Sequence, residues 1–261
     1  MIIKFLLFIK EKSKYFIPKK IRVKSRKTIW FIKRKLFRIL GKLYRKQIVN
    51  ILHIGKTGGN AIQSALRLNL MTDKYLIEFH PHRSTLRDVS PGEKVVFFLR
   101  DPVSRFVSSF NSRKRKGWPK NNDPWLPEEE IAFKIFQTPN ELAMALSSEN
   151  KEERNAAIRA MKGIHHVNTF FWDWFENQDY FSSRIDDIFF VGFQESLDSD
   201  FYIFKKKLGI SDAVMLPKDD VKAHRTPASF DKSLQNKAII NLKTWYACDY
   251  KFLELCKEKV G

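Results

Sequence analysis

The sequence of 261 residues contains only two cysteines, Cys248 and Cys256. They are eight positions apart in a segment patterned as one helix. A rise of about 1.5 Å per residue would separate their Cα atoms by roughly 12 Å, which is too far for a disulfide bond. Two cysteines also cannot form a structural zinc site alone. The cysteine content therefore does not require an oxidising compartment.

Long apolar runs are missing as well. The apolar stretch over residues 1–10 is interrupted by Lys4 and is far shorter than the ~20 residues that a spanning helix needs. No small-residue cleavage site of a secretory signal follows it. We therefore expect a cytoplasmic protein without a transmembrane helix.

Acidic residues are nearly absent from the first 48 residues, which contain 17 Lys and Arg and a single acid, Glu11. The net charge of +19 is concentrated in this arm, so it is no argument for nucleic-acid binding by the rest of the chain. Apolar residues recur in the arm at helical spacing: Ile29, Ile32, Leu36, Ile39 and Leu43. This pattern predicts a helix that lies peripherally on an anionic membrane surface. The alternatives are a helix that packs the same stripe on its own domain and an arm that binds nucleic acid.

From residue 49 onward, short apolar runs alternate with helical patterns. Strands are predicted near 48–54, 75–79, 95–99 and 188–191, and helices near 61–70, 127–176 and 230–259. Asp101-Pro102 and Thr138-Pro139 are typical helix starts. The alternation predicts an α/β domain over 49–261 with a mainly parallel sheet, preceded by a basic helical arm at 1–48.

A glycine-rich loop, His53-Ile-Gly-Lys-Thr-Gly-Gly-Asn60, follows the first predicted strand. Glycines let backbone N–H groups approach an anion, and the helix that follows adds the positive end of its dipole. Lys56 and Thr57 add a cation and a hydroxyl. The loop is not a Walker A sequence, because the position of its first glycine is taken by Asn50. The loop is predicted to bind phosphate or sulfate, with an ordinary glycine turn as the alternative.

A second candidate anion site, Arg100-Asp-Pro-Val-Ser-Arg-Phe-Val-Ser108, follows the strand predicted at 95–99. It places Arg100 at the carboxyl end of that strand, where ligands bind in open α/β sheets. Ser108 lies about two turns into the next helix. Arginine suits bidentate contact with phosphate, and the hydroxyl adds a neutral donor. The alternative is an exposed basic helix, since the positive charges continue through 113–116.

Together the two motifs resemble the paired donor signatures of sulfotransferases that use 3′-phosphoadenosine 5′-phosphosulfate (PAPS). The nearest branch is the carbohydrate 2-O-sulfotransferase-like enzymes and their bacterial relatives, and the resemblance extends over about 49–256. It implies a P-loop-like three-layer fold and PAPS as co-substrate, with a carbohydrate or glycolipid hydroxyl as acceptor. Many relatives have proline at the position of Gly55. The donor-binding residues that it implies are Gly55, Lys56, Thr57, Gly58, Gly59, Asn60, Arg100, Ser108 and Arg225.

Three residues in Glu78-Phe-His80-Pro-His82 are candidates for the base that accepts the acceptor's proton. Neutral histidine suits proton transfer at physiological pH. Because the related carbohydrate enzymes have His-x-His here, the resemblance implies His82 as the base and His80 as its assistant. Glu78 competes, since other glycan sulfotransferases use a carboxylate. Lys56 is the third expected catalytic residue, because it would neutralise charge on the sulfonyl oxygens and the leaving phosphate.

The sequence shows no carboxylate cluster at metal-ligand spacing, and adjacent His165 and His166 would diverge on a helix, so no metal is expected. A nucleotide kinase would explain the first loop but needs the missing glycine and magnesium-binding carboxylates. A non-catalytic basic membrane adaptor would explain only residues 1–48. We therefore expect a PAPS-dependent sulfotransferase that contacts an anionic membrane surface and no nucleic acid.

Overall fold

The computed structural model describes residues 34–119, 121–219, 226–227 and 229–260. At its centre is a sheet of four strands, each parallel to its neighbours, in the order β2-β1-β3-β4. The strands are β1 (Gln47–Ile51), β2 (Tyr75–Phe79), β3 (Lys94–Leu99) and β4 (Ile188–Phe193). The predicted α/β class with a parallel sheet is therefore confirmed.

The described part of the chain contains eleven helices. These are α1 (34–43), α2 (Gly59–Leu66), α3 (Pro102–Lys114), α4 (Pro127–Ile135), α5 (Pro139–Ala145), α6 (Lys151–Gly163), α7 (Trp172–Phe175), α8 (Gln178–Ser183), α9 (Leu197–Leu208), α10 (Asn236–Trp245) and α11 (Ala247–Val260). The single long helix expected at 230–259 is thus two helices, separated at Tyr246. Tyr246 is buried and donates its hydroxyl to the carbonyl of Val167 at 2.7 Å.

Both predicted helix starts are confirmed. Asp101 precedes α3 and accepts the backbone N–H of Ser104 at 2.8 Å. Thr138 precedes α5 and accepts the backbone N–H of Glu141 at 3.1 Å. Each cap satisfies a donor that a helix N-terminus leaves without an intrahelical partner.

Helices cover both faces of the sheet. Successive residues of a strand point to opposite faces and therefore contact different helices. Phe97 packs with aromatic residues of α7, α8 and α11, whereas Phe98 packs with residues of α2 and α9. A third apolar cluster joins α3 to the helices α4, α5, α6 and α10 beside the sheet. The sheet and α3 are therefore both packed against apolar side chains.

The strand order creates a crevice between two neighbouring loops. β1 continues to β2 on one side, whereas β3 continues to β4 on the other. The connections that leave β1 and β3 therefore diverge at the carboxyl ends of adjacent strands. Ligands bind at such a switch point in open α/β sheets.

Helix α1, which belongs to the predicted arm, packs against the sheet domain. Phe37 is 2% exposed and Arg34 is also buried. Arg38 forms an ion pair with Glu93 at 2.9 Å. Residues 34–43 are thus fixed on the domain by one helix face.

The other face of α1 carries part of the predicted apolar stripe. Leu36, Ile39 and Leu43 are 41%, 59% and 68% exposed. Ile29 and Ile32 lie outside the described residues. Across the ranges that the structure describes, no helix combines the length and apolar character needed to cross a bilayer.

Candidate active site

A cavity of about 1380 Å³ opens where the loops after β1 and β3 diverge. Seven residues predicted from the sequence line it: Lys56, Gly58, Gly59, Asn60, His82, Arg100 and Ser108. Gly55, Thr57 and His80 are not among the lining residues, and Arg225 lies outside the described residues. The structure therefore brings both anion motifs and one histidine of the pair to a single site.

The glycine loop turns sharply at two residues. Lys56 has a φ of 68° and Gly58 a φ of 91°, both in the left-handed region. Glycine adopts this conformation freely, whereas lysine does not, so the surrounding fold holds Lys56 in an unfavourable geometry. The Thr57 hydroxyl is buried and donates to the carbonyl of Ile54 at 3.1 Å. Thr57 thus stabilises the loop from inside.

Three cationic side chains come together here without a salt bridge to any described carboxylate: Lys56, Arg100 and Arg115. Burial, followed by the charges of Arg115 and Arg100, lowers the pKa of Lys56 to about 7. Arg100 Nε and Arg115 Nη2 are buried and have no hydrogen-bond partner within the described ranges. Buried donors of this kind are costly unless a ligand satisfies them, so the arrangement suits a ligand with more than one anionic group.

Sequence reasoning did not single out Arg115, because it stands in the basic run at 113–116. It follows Ser108 and Ser112 at spacings of seven and three, which place all three on one side of a helix. Ser108 and Ser112 both line the cavity, and Arg115 lies 8% exposed at the end of α3. Helical spacing counted from Ser108 was the signal that could have identified Arg115.

His82 faces the cavity from the loop after β2. Its ring contacts that of His53 at an interplanar angle of 32°, with ring centroids 3.6 Å apart. Its carbonyl accepts the indole N–H of Trp174 at 3.1 Å. Desolvation by the surrounding protein, followed by the neighbouring His165 and Lys56, lowers the pKa of His82. The imidazole is therefore neutral at pH 7 and able to accept a proton.

His80 and Glu78 lie elsewhere, buried at the sheet. His80 Nε2 is 2.9 Å from Asn50 Oδ1 and 4.0 Å from Glu78 Oε2. Asn50, which occupies the position of the first Walker A glycine, also donates to Glu93 at 3.2 Å. Neither His80 nor Glu78 lines the cavity, so the structure does not bring either of them together with His82.

His165 and His166 occupy the loop after α6 and not a helix, and both line the cavity. Their ring centroids are 4.1 Å apart, and that of His166 lies 6.1 Å from that of His82. Among the described residues, no group of three or more His, Cys, Asp or Glu side chains is arranged to hold a metal ion. The cavity thus combines anion-binding cations with several neutral imidazoles.

A scan against known protein families and a search of curated proteins each find no match for this chain.

Proposed function

We propose that this protein is a sulfotransferase that moves a sulfonyl group from PAPS to a hydroxyl, on a P-loop-like fold. The main support is the convergence of Lys56 and Arg100 with His82 in one cavity. Lys56 and Arg100 come from the loops after the adjacent strands β1 and β3. The neutral imidazole of His82 comes from the loop after β2. An anionic donor and a proton acceptor are what such a transfer requires.

In the proposed reaction, His82 accepts the proton as the acceptor oxygen attacks sulfur. The bond between sulfur and the bridging phosphate oxygen breaks, and adenosine 3′,5′-bisphosphate leaves with the electron pair. Lys56 stabilises the charge that develops on the departing phosphate, while Arg100 and Ser108 bind the 3′-phosphate. Ligand pockets for drug-sized molecules measure roughly 300–1,000 Å³, so a cavity of about 1380 Å³ has room for donor and acceptor together.

The acceptor of this reaction is proposed to be a hydroxyl of a carbohydrate or a glycolipid. A polar acceptor is supported by other polar residues that line the cavity: His165, Arg83, Asn121, Asp123 and Asp173. Incubation of the protein with labelled PAPS and a panel of glycans identifies the acceptor by transfer of the label.

Calorimetric titration with adenosine 3′,5′-bisphosphate and, separately, with ATP tests the proposal. A sulfotransferase should bind the bisphosphate at least about tenfold more tightly, because only this ligand carries the 3′-phosphate that Arg100 would contact. Arg100→Gln should remove most of that preference. Equal or tighter binding of ATP by the wild-type protein would instead favour a nucleotide kinase.

We also propose that the protein associates peripherally with an anionic membrane surface through the arm and α1. The support is the exposure of Leu36, Ile39 and Leu43 on the face of α1 that points away from the domain. The neighbouring Lys35 and Lys42 are exposed too. Apolar side chains flanked by lysine are typical of helices at the interface of anionic bilayers. A membrane-bound acceptor would be within reach of such an enzyme.

A further inference from the structure

The cavity contains four of the six histidines of the chain, and the proposed reaction uses only His82. The others are His53, His165 and His166. His53 belongs to the glycine-rich loop itself, whereas His166 comes from a distant part of the chain and lies against Gly55 of that loop. Its position and its backbone conformation both set it apart from an ordinary surface histidine.

His166 fills the space that a side chain at position 55 would occupy. A Cβ added to Gly55 would lie 2.9 Å from Nδ1 of His166, closer than real Cβ atoms approach nitrogen in packed proteins. The glycine before Lys56 therefore provides room for the imidazole. Lys56 and His166 are consequently neighbours in the cavity although 110 positions separate them in the sequence.

The backbone of His166 is held in an unfavourable conformation. Its φ is 69°, in the left-handed region that residues with a Cβ rarely adopt. The Thr169 hydroxyl donates to the His166 carbonyl at 3.0 Å, and Glu129 accepts the N–H of His165 at 3.0 Å. The buried Arg105 donates to the Thr169 carbonyl. The fold thus opposes the local preference of the chain, a pattern that is concentrated at functional sites.

We propose that His166 is an active-site residue that donates a hydrogen bond from its neutral imidazole to an anionic oxygen bound beside Lys56. If the proposed function is correct, that oxygen belongs to the sulfonyl group of PAPS. His166 then fixes the direction of the bond between sulfur and the leaving oxygen, so that the acceptor attacks in line. The proton still passes to His82, and His166 neither gains nor loses one.

The charge environment of His166 agrees with this division of roles. Burial, followed by His165, Lys56, His82 and Arg113, lowers the pKa of His166 to about 2. The ring is therefore neutral throughout the physiological range, with one N–H to donate. A cationic role and a role as general base at neutral pH are both unsuited to it.

The proposal is tested with His166→Gly and His166→Asn, because glycine and asparagine both tolerate a positive φ. Only asparagine retains an N–H donor. We expect His166→Gly to weaken PAPS binding and to lower the transfer rate by roughly 10- to 100-fold, and His166→Asn to recover part of each. Binding of adenosine 3′,5′-bisphosphate, which has no sulfonyl group, should change less than about threefold in both variants. Arg45→Gly is the matched control, because Arg45 is exposed, lies outside the cavity and also has a positive φ, of 52°.

The two proposals fail in different ways. A wild-type protein that does not bind adenosine 3′,5′-bisphosphate would refute the proposed function. A wild-type protein that binds it, together with a His166→Gly variant that keeps the wild-type preference for PAPS, would refute only the role of His166. Equal losses for PAPS and the bisphosphate would also refute that role, since the sulfonyl group would not be the partner.

A double-mutant cycle tests the contact between position 55 and the His166 imidazole without any activity measurement. Gly55→Ala should lower the melting temperature in the wild-type background, because the new Cβ meets the imidazole. The same substitution should cost much less in the His166→Gly background. Additive effects would show that the two positions do not touch and would overturn the proposal. If Gly55→Ala alone does not fold, folding of the double variant is the supporting result and its failure to fold the opposing one.

Discussion

Burial in this cavity disfavours the charged forms of its basic side chains. Lys56 is the clearest case, because its amine lies among protein atoms and near two guanidinium groups. An anion that enters the cavity compensates for both effects. Ligand binding and protonation of Lys56 are therefore linked.

The first prediction concerns that linkage. With the pKa of Lys56 lowered to about 7 in the empty site, the amine is mostly neutral at about pH 8. A bound bisphosphate favours the ammonium form and raises this pKa, so binding at about pH 8 should take up close to one proton, and affinity should fall as pH rises above 7. Calorimetry in two buffers of different ionisation enthalpy measures the uptake. Lys56→Arg, which stays charged, should bind without it, and an undiminished uptake in that variant would disprove the linkage.

The second prediction concerns His82. His82→Ala should leave binding of adenosine 3′,5′-bisphosphate intact and lower turnover by about 10²–10⁴-fold, the usual contribution of a positioned base. In the wild type the rate should rise with pH through the lowered pKa of His82, and this rise should disappear in the variant. Other basic residues line the same cavity: Lys56, His165, His53, His166 and Arg83. His165→Ala is therefore measured in parallel, to separate loss of the His82 base from a general change in the cavity. A variant of His82 with a near-normal rate would remove it from the mechanism.

Lys56 and Arg100 could be predicted from the sequence because each lies in a loop that follows an apolar strand, and the carboxyl ends of parallel strands meet at one edge, whereas the choice of His82 depended on the family resemblance. His166 could not, since tertiary packing alone brings it to that edge, and Arg115 could be identified only through its helical spacing from Ser108. His80 shares its local sequence with His82, but Pro81 separates them and the chain turns between strand and loop. The local sequence pattern does not indicate which of these two histidines faces the cavity and which is buried at the sheet.

Among the helices and strands, α11 has a role that its apolar pattern does not reveal. Its Asp249 is fully buried and pairs with Arg105 of α3 at 2.8 Å. The same carboxylate accepts the N–H of Phe171 at 2.8 Å. Tyr250 donates its hydroxyl to Asp101, the N-cap residue of α3, at 2.7 Å. One helix thus fixes both the second anion motif and the segment that follows the histidine loop, which contains His165 and His166.

The third prediction is that Asp249→Asn lowers the free energy of unfolding by about 3–5 kcal/mol, because it leaves the buried Arg105 without a charged partner. Urea unfolding followed by circular dichroism measures the change. Lys134→Gln breaks the exposed ion pair with Glu130 and should leave stability nearly unchanged. A loss for Asp249→Asn no larger than that of the control would show that the buried pair is not important for stability.

The strand positions were predictable to within a few residues, because β-branched and aromatic runs are long enough to identify buried strands. The separation of α10 from α11 was not predictable, since no Pro or Gly marks Tyr246, which lies between them and donates its hydroxyl to Val167, distant in the sequence. The order of the strands was equally inaccessible. Nothing in Val95–Leu99 indicates that β3 lies beside β1, or that β2 lies on the other side of β1.

For the protein as a whole, the distribution of charge and exposed apolar surface leads to the fourth prediction. The wild-type protein should sediment with vesicles that contain phosphatidylserine, and less so at high salt. Replacing Leu36, Ile39 and Leu43 by Glu should lower the partition coefficient by roughly tenfold or more, because their burial in the interface is lost and negative charge is added. Ile240→Glu, at a residue 63% exposed on α10, is the control. A triple variant that sediments like the wild type would exclude this surface.

The attachment of α11 to the anion site has a consequence for the order in which the protein is made. Domains form progressively as the ribosome releases the chain from its N-terminus. The glycine loop and Arg100 emerge early, but Asp249 and Tyr250, which fix α3 and the segment after the histidine loop, are translated near the end of the described chain. A nascent chain that lacks α11 should therefore be unable to hold an anion firmly, and the cavity becomes competent only after α11 has been synthesised.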